Sequence, residues 1–173
     1  MATSKRKGGI CRFSMINRPG RPGFRPGWQK HHVLPHQLRK CRGVAAMLAA
    51  VCPATIGFDD FHRNGVLLPG TEAAAIEAQL PLHRGPHRIY NELVLERVGT
   101  VEMEWSRNRG RCEQQARQAA QERLRLIQRG LYRRLHGDGS APLLLNRHDP
   151  IGKGIDFAHL DNLAEQLWRA SSG

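Results

Sequence analysis

No acidic residue occurs before Asp59, although the same stretch carries eleven basic side chains: Lys5, Arg6, Lys7, Arg12, Arg18, Arg21, Arg25, Lys30, Arg39, Lys40 and Arg42. Such a one-signed field repels itself unless a polyanion meets it, and the 173-residue chain as a whole carries a formal charge of +12. A phosphate-bearing partner, nucleic acid above all, is the expectation. Long apolar runs are also missing. The longest, "GVAAMLAAVC" at 43–52, is too short to cross a bilayer and too far from the start to be a signal peptide. No membrane partner and a cytoplasmic location follow as expectations. The four cysteines, Cys11, Cys41, Cys52 and Cys112, show no C-x-x-C spacing, which excludes a zinc ribbon and a thioredoxin-type pair and leaves reduced thiols as the default.

Residues 1–27 combine low hydrophobicity, repeated Pro-Gly ("RPGRPGFRPG") and charge of one sign, so they read as a disordered basic arm that cannot bury enough surface to offset ordering entropy. "QKHHVLP" then reads as a short strand, because Val33 and Leu34 favour extension and Pro35 drives its predecessor out of helical geometry. Leu38, Cys41, Ala45, Leu48 and Val51 recur near a 3.6-residue period and predict a helix over 36–51, stopped by Pro53. Asn64-Gly65 predicts a turn with positive φ leading into a second strand, "VLLP".

Thr71 predicts the cap of a short helix ending before Pro81. A longer helix is expected from Pro86 to Arg107, with Tyr90, Leu93, Val94, Val98, Val101 and Trp105 as its buried stripe. Another is expected over 112–137, with Cys112, Ala116, Ala119, Ala120, Leu124, Ile127, Leu131 and Leu135 inward and arginines outward, pairing antiparallel with the first. A last docking helix is read at 156–170 behind an Asp156 cap.

The chemistry concentrates in two tight histidine groups, His31-His32 and His83-x-x-x-His87, with Asn64 between them. Neutral imidazole binds divalent metals and serves as a general base near neutral pH. On a strand, neighbouring side chains point to opposite faces, so His31 and His32 can divide those two tasks. Proline at 86 pushes Gly85 from helical geometry, which places His83 in a lead-in loop and His87 in the first helical turn. Arg84 and Arg88 flank this group as candidate phosphate contacts, beside Lys30 on the strand. The lone histidines His36, His62, His136, His148 and His159 receive no role.

In order, "KHHVLP", "NGVLLP" and "LPLHRGPHRIYNELV" resemble the AHH family of the HNH/endonuclease VII nuclease superfamily over roughly residues 28–98. Lys30 departs from the small residue that usually precedes the histidine pair. The resemblance implies a ββα-metal core at 28–108; the helices read from periodicity beyond it lie outside the resemblance and form a C-terminal helical extension at 109–173 packed on the core, so the expected fold is α+β, mostly helical. The resemblance also implies a metal-dependent endonuclease cleaving phosphodiester bonds, with DNA as the expected substrate and one divalent ion (Mg, Zn or Ni).

By the same resemblance His31 would ligate the metal, with His87 and His83 completing the site. His32 would be the general base, and Asn64 would hold the hairpin and base or, in some relatives, bind the ion. Family members often end bacterial polymorphic toxins, which implies an immunity protein as partner and delivery into another cell. The competing reading is a non-catalytic, basic nucleic-acid-binding protein with a structural metal site.

Overall fold

The computed structural model describes residues 9–51, 56–137, 143–145 and 149–150. Its sheet is a single antiparallel pair: β1 (Trp28–His32) runs against β2 (Gly65–Pro69), with His31 opposite Val66 and His32 opposite Gly65. Around it lie α1 (Arg42–Ala50), α2 (Glu72–Ala78), α3 (Arg88–Asn108) and α4 (Glu113–Leu135). The fold is therefore mostly helical α+β. The expected helix at 156–170 lies outside the described residues.

The helix read over 36–51 is divided. A 3-10 turn spans His36–Lys40, Cys41 takes an extended conformation (φ −80°, ψ 115°), and only then does α1 begin. Periodicity could not see this, since Leu38 from the turn and Val44, Met47 and Leu48 from α1 all enter the same core. Thr71 caps α2 as expected, accepting a hydrogen bond from Ala74 N at 3.4 Å.

Helix α3 buries Tyr90, Val94, Val98, Val101 and Trp105, while α4 buries Ala116, Ala120, Leu124, Leu131 and Leu135. Their short connection folds them into a hairpin tied by the Arg123–Glu104 ion pair. Two positions read as inward, Cys112 and Ala119, are exposed. Leu143 and Leu145 return to complete this core. Cys11, Cys41 and Cys112 are free thiols.

The Asn64-Gly65 turn is not there. Asn64 ends a single helical turn (Phe61–Asn64) and Gly65 is extended, with φ −120°. Residues 33–64 make a long excursion between the two strands in place of a tight hairpin. Glycine is needed at 65 because a Cβ would sit 2.2 Å from Phe61 Cδ2. Gly65→Ala is therefore expected to cost about 1–3 kcal/mol, the range of overpacked sites. A denaturation midpoint equal to that of the native chain would refute this account of the contact.

Residues 9–27 also depart from expectation. Instead of a free arm they form turns fastened at several points. Cys11 N donates to Asp60 Oδ1 (3.3 Å) and its carbonyl accepts from Phe61 N (2.7 Å). The Asn17 side chain donates to the carbonyls of Arg25 (3.0 Å) and Trp28 (2.8 Å) and accepts from Arg25 N (2.7 Å). A handful of specific hydrogen bonds thus order a segment too polar to be ordered by burial.

Candidate functional site

Alternation along β1 separates the paired histidines. His31 is buried, only 4 % exposed, and faces inward; His32 turns to the other side of the strand and is half-buried. Behind His31 the chain from β2 returns through a loop to α3. His83 N donates to Pro69 O (2.7 Å), and the buried Asp149 accepts from Leu82 N (2.9 Å), so the loop carrying His83 is held at two successive residues. Gly85 has φ +76°, and His87 is the N-cap of α3 rather than part of its first turn (φ −91°, ψ 53°). The helix starts two residues later than Pro86 suggested.

This arrangement gathers His31, His83 and His87. Their rings meet edge to face, with His31 centroids 5.1 Å from His83 and 5.2 Å from His87, and one nitrogen from each lies within 4.8 Å of the others. Nε2 of His83 and Nε2 of His87 are 3.1 Å apart. His83 Nδ1 sits 2.9 Å from Gln29 Oε1, an oxygen that can only accept, which fixes the proton on Nδ1 and leaves the lone pair on Nε2. His31 Nε2 is buried with no hydrogen-bond partner.

An orphaned buried nitrogen beside two converging Nε2 atoms is costly in an empty polar pocket and natural around a cation. Three imidazoles suit a divalent transition ion, and three protein ligands leave room for water or substrate oxygen, as catalytic sites do. The residues fit a metal. Below them Tyr90 is fully buried, its ring 4.8 Å from that of His31 and its hydroxyl donating to Val33 O. Burial pushes the Tyr90 hydroxyl pKa up, so it stays a donor.

On the other face, the Phe13 ring stacks on His32 at 3.7 Å and 10°. His32 Nε2 faces His36 Nε2 at 3.1 Å, and His36 Nε2 lies 3.6 Å from Asp59 Oδ1. Burial, reinforced by the neighbouring His36, lowers the His32 pKa to about 4; burial, then His87, lowers His83 to about 4. Burial first, then His83, takes His31 well below its ordinary value, and burial lowers His87. All four rings are therefore neutral near pH 7, the form that can bind metal or accept a proton.

Unfolding restores ordinary histidine affinity for protons, so the folded state loses stability as pH falls from about 6.5 toward about 4. The metal-free chain is expected to melt several degrees lower at pH 5 than at pH 7.5, the half-exposed rings contributing least. A melting temperature flat across that interval would show that these histidines are not held neutral.

Asn64 is fully buried and every polar atom of its side chain is used. Oδ1 accepts from Leu34 N (2.7 Å) and Gln128 Nε2 (3.1 Å), while Nδ2 donates to Leu34 O (3.0 Å) and Phe58 O (3.2 Å). Its backbone carbonyl accepts from Val33 N at 2.9 Å. With two lone pairs and two protons committed, the amide has nothing left for an ion or a water. It clasps the chain just beyond the histidine pair.

Lys30, Arg84 and Arg88 are exposed. Lys30 shares the His32 side of β1, whereas Arg84 and Arg88 adjoin His83 and His87 in sequence. Arg88 also lines a groove of about 330 Å³ with Pro35, Gln37, Leu38, Asn91, Glu92 and Leu95. Sequence reasoning missed Gln29, His36, Asp149 and Gln128. Gln29 had a signal in its i−2 spacing from His31, and Gln128 in its place within the apolar stripe of α4; His36 repeats the i+4 spacing from His32 that links His83 and His87.

Residues 13–131 match the family described as AHH, a nuclease family of the HNH/ENDO VII superfamily with conserved AHH. The chain belongs to this AHH nuclease family. The match begins at Phe13, the residue stacked on His32, and runs across the expected boundaries at 27 and 108 into α4. Searches of curated proteins and of solved structures returned no match. Membership makes the chain a nuclease with nucleic acid as substrate and a divalent metal as cofactor, for which the histidine cluster is a fitting holder. Within the family's motif this AHH nuclease carries Lys30-His31-His32, with lysine in the alanine position. No helix among the described residues is long and apolar enough to cross a membrane.

Proposed function

We propose that the protein is an endonuclease that hydrolyses DNA phosphodiester bonds, with His31, His83 and His87 holding one divalent ion and His32 acting as general base. The observation that carries this reading is the placement of adjacent histidines on opposite faces of β1, His31 buried within a three-imidazole cluster and His32 half-buried on the other side with a neutral ring. When bound, the dication would supply Lewis acidity to the scissile phosphate. With its Nε2 turned to His36, His32 is assigned Nδ1 as the atom that takes the proton from the attacking water. The stacked Phe13 ring limits how far His32 can swing, and Asn64 fixes the end of the strand that carries it. Arg84, Arg88 and Lys30 are assigned to the substrate backbone.

A plasmid-digestion panel across Mg, Mn, Ni and Zn, with and without chelator and with an RNA of matched length, tests the substrate and the metal. Cleavage that survives complete chelation would overturn the mechanism. Retarded DNA without strand breaks under every ion would favour a binding protein with a structural metal. Arg88→Ala is expected to weaken DNA affinity and to lower the salt slope of binding by about one charge; an unchanged slope would remove Arg88 from the interface. The notion of a toxin domain with an immunity protein rests on family resemblance. Its test is growth arrest on expression in a bacterial cytoplasm, relieved by His32→Ala.

A further inference from the structure

The His32 face of β1 repeats the imidazole pair found on the His31 face. There, the Nε2 atoms of His83 and His87, spaced i to i+4, converge to 3.1 Å; here, the Nε2 atoms of His32 and His36, also spaced i to i+4, converge to 3.1 Å. A third donor stands beside each pair. At the second site it is Asp59, whose Oδ1 lies 3.6 Å from His36 Nε2 while its other oxygen, Oδ2, lies 3.6 Å from Arg39 Nη2. Arg39 in turn packs over the Phe58 ring at 4.6 Å. Two imidazole nitrogens and one carboxylate oxygen are a donor set suited to zinc.

We propose that His32, His36 and Asp59 form a second divalent-cation site, separate from the His31/His83/His87 centre, and that zinc held there silences the nuclease. Binding rests on the converging Nε2 atoms of His32 and His36, with Asp59 completing the donor set only after it moves inward; the silencing rests on His32 being the base. A neutral imidazole has one lone pair and one N–H. Facing His36 without metal, His32 can donate its Nε2 proton to His36 and keep the lone pair on Nδ1. A zinc ion on Nε2 takes the lone pair there and confines the ring proton to Nδ1, so the ring can no longer accept a proton from water.

The second site is the weaker of the two. Arg39 opposes a cation, His36 and Asp59 are largely exposed, and Asp59 must swing inward to close on the metal. Zinc should thus fill the buried cluster first and the outer site only in excess, so that silencing through His32 sets in only at high zinc.

The test is a zinc titration of the metal-free full chain against a chromophoric chelator, paired with plasmid cleavage in the ion that supports activity. Two equivalents are expected in the native chain, with His36→Ala losing the weak one and His83→Ala the tight one. Cleavage should fall by about tenfold when free zinc exceeds the weak dissociation constant by about tenfold, as mass action requires. Read against each variant's own rate at low zinc, that fall should be absent from His36→Ala, and Asp59→Asn should move it to higher zinc. A single equivalent in the native chain, or an inhibitory fall that persists in His36→Ala with its circular dichroism unchanged, overturns the proposal. Two equivalents bound without cleavage under any ion would uphold the site and reject the nuclease reading on which the silencing rests. Should His36→Ala fail to fold, Asp59→Asn carries both measurements.

Discussion

His32→Ala is expected to lower DNA cleavage by about 10²–10⁴-fold, the usual worth of a positioned general base, while leaving zinc stoichiometry at the buried cluster and the circular dichroism spectrum unchanged. The separation of effects follows from strand geometry. His31 projects inward to His83 and His87, whereas His32 projects outward to Phe13 and His36, so truncating one ring does not remove a ligand from the other side. The His32 pKa of about 4 keeps the ring uncharged at pH 7, so the native chain holds the reactive form before substrate arrives. Low-pKa bases pay for that readiness with weaker proton affinity, which makes the dication's help with the water and the leaving oxygen more important. His31→Ala should behave differently: cleavage and tight metal binding disappear together. If His32→Ala also lost the tight ion, or cleaved within about threefold of the native rate, well short of what a base contributes, the two histidines would not be dividing the work and the base would have to be sought elsewhere.

The parts of this site that local sequence could show are those set by local rules. Strand alternation at His31-His32, the Thr71 cap, the stripe from Tyr90 to Trp105 and the Gly85-Pro86 break all depend on near neighbours, and each left a mark in the residues themselves. What escaped was set by partners far along the chain. Asn64-Gly65 has the composition of a hairpin turn, yet Gly65 is there to let Phe61 close over the strand, and Asn64 to clasp Leu34 thirty residues earlier. Gln128 reads as an interruption of an apolar stripe until Asn64 Oδ1 and Ile56 O are found beside it. Likewise the segment 9–27 has a disordered composition, but Asp60 and Asn17 supply specific bonds that composition cannot reveal. At Asn64, Gln128 and Asp60 a polar side chain is buried or tethered by a residue that no window of local periodicity contains.

The largest stability effect is expected at Asn64. Asn64→Leu keeps the branched shape of the side chain, with bulkier methyls for the amide atoms, and abandons Leu34 N, Leu34 O, Phe58 O and Gln128 Nε2 in a buried setting. Each unpaired buried group costs about 1–3 kcal/mol, and partial rescue by neighbours brings the expected total to about 3–5 kcal/mol. Asn64→Asp separates the two halves of the clasp: the carboxylate still accepts from Leu34 N and Gln128, but it turns an acceptor toward the carbonyls of Leu34 and Phe58. It should therefore destabilise as well, through repulsion and a buried charge. A residue with direct catalytic duty would instead lose cleavage with its melting temperature intact. The deciding measurement is a double-mutant cycle with Gln128→Ala, reading stability and cleavage on the same proteins. A framework role requires the two mutations to couple in stability, and cleavage to recover in Asn64 variants when the temperature is lowered until they are fully folded. Cleavage that stays absent in folded Asn64→Asp, with no coupling to Gln128, would move Asn64 from the scaffold into the reaction itself.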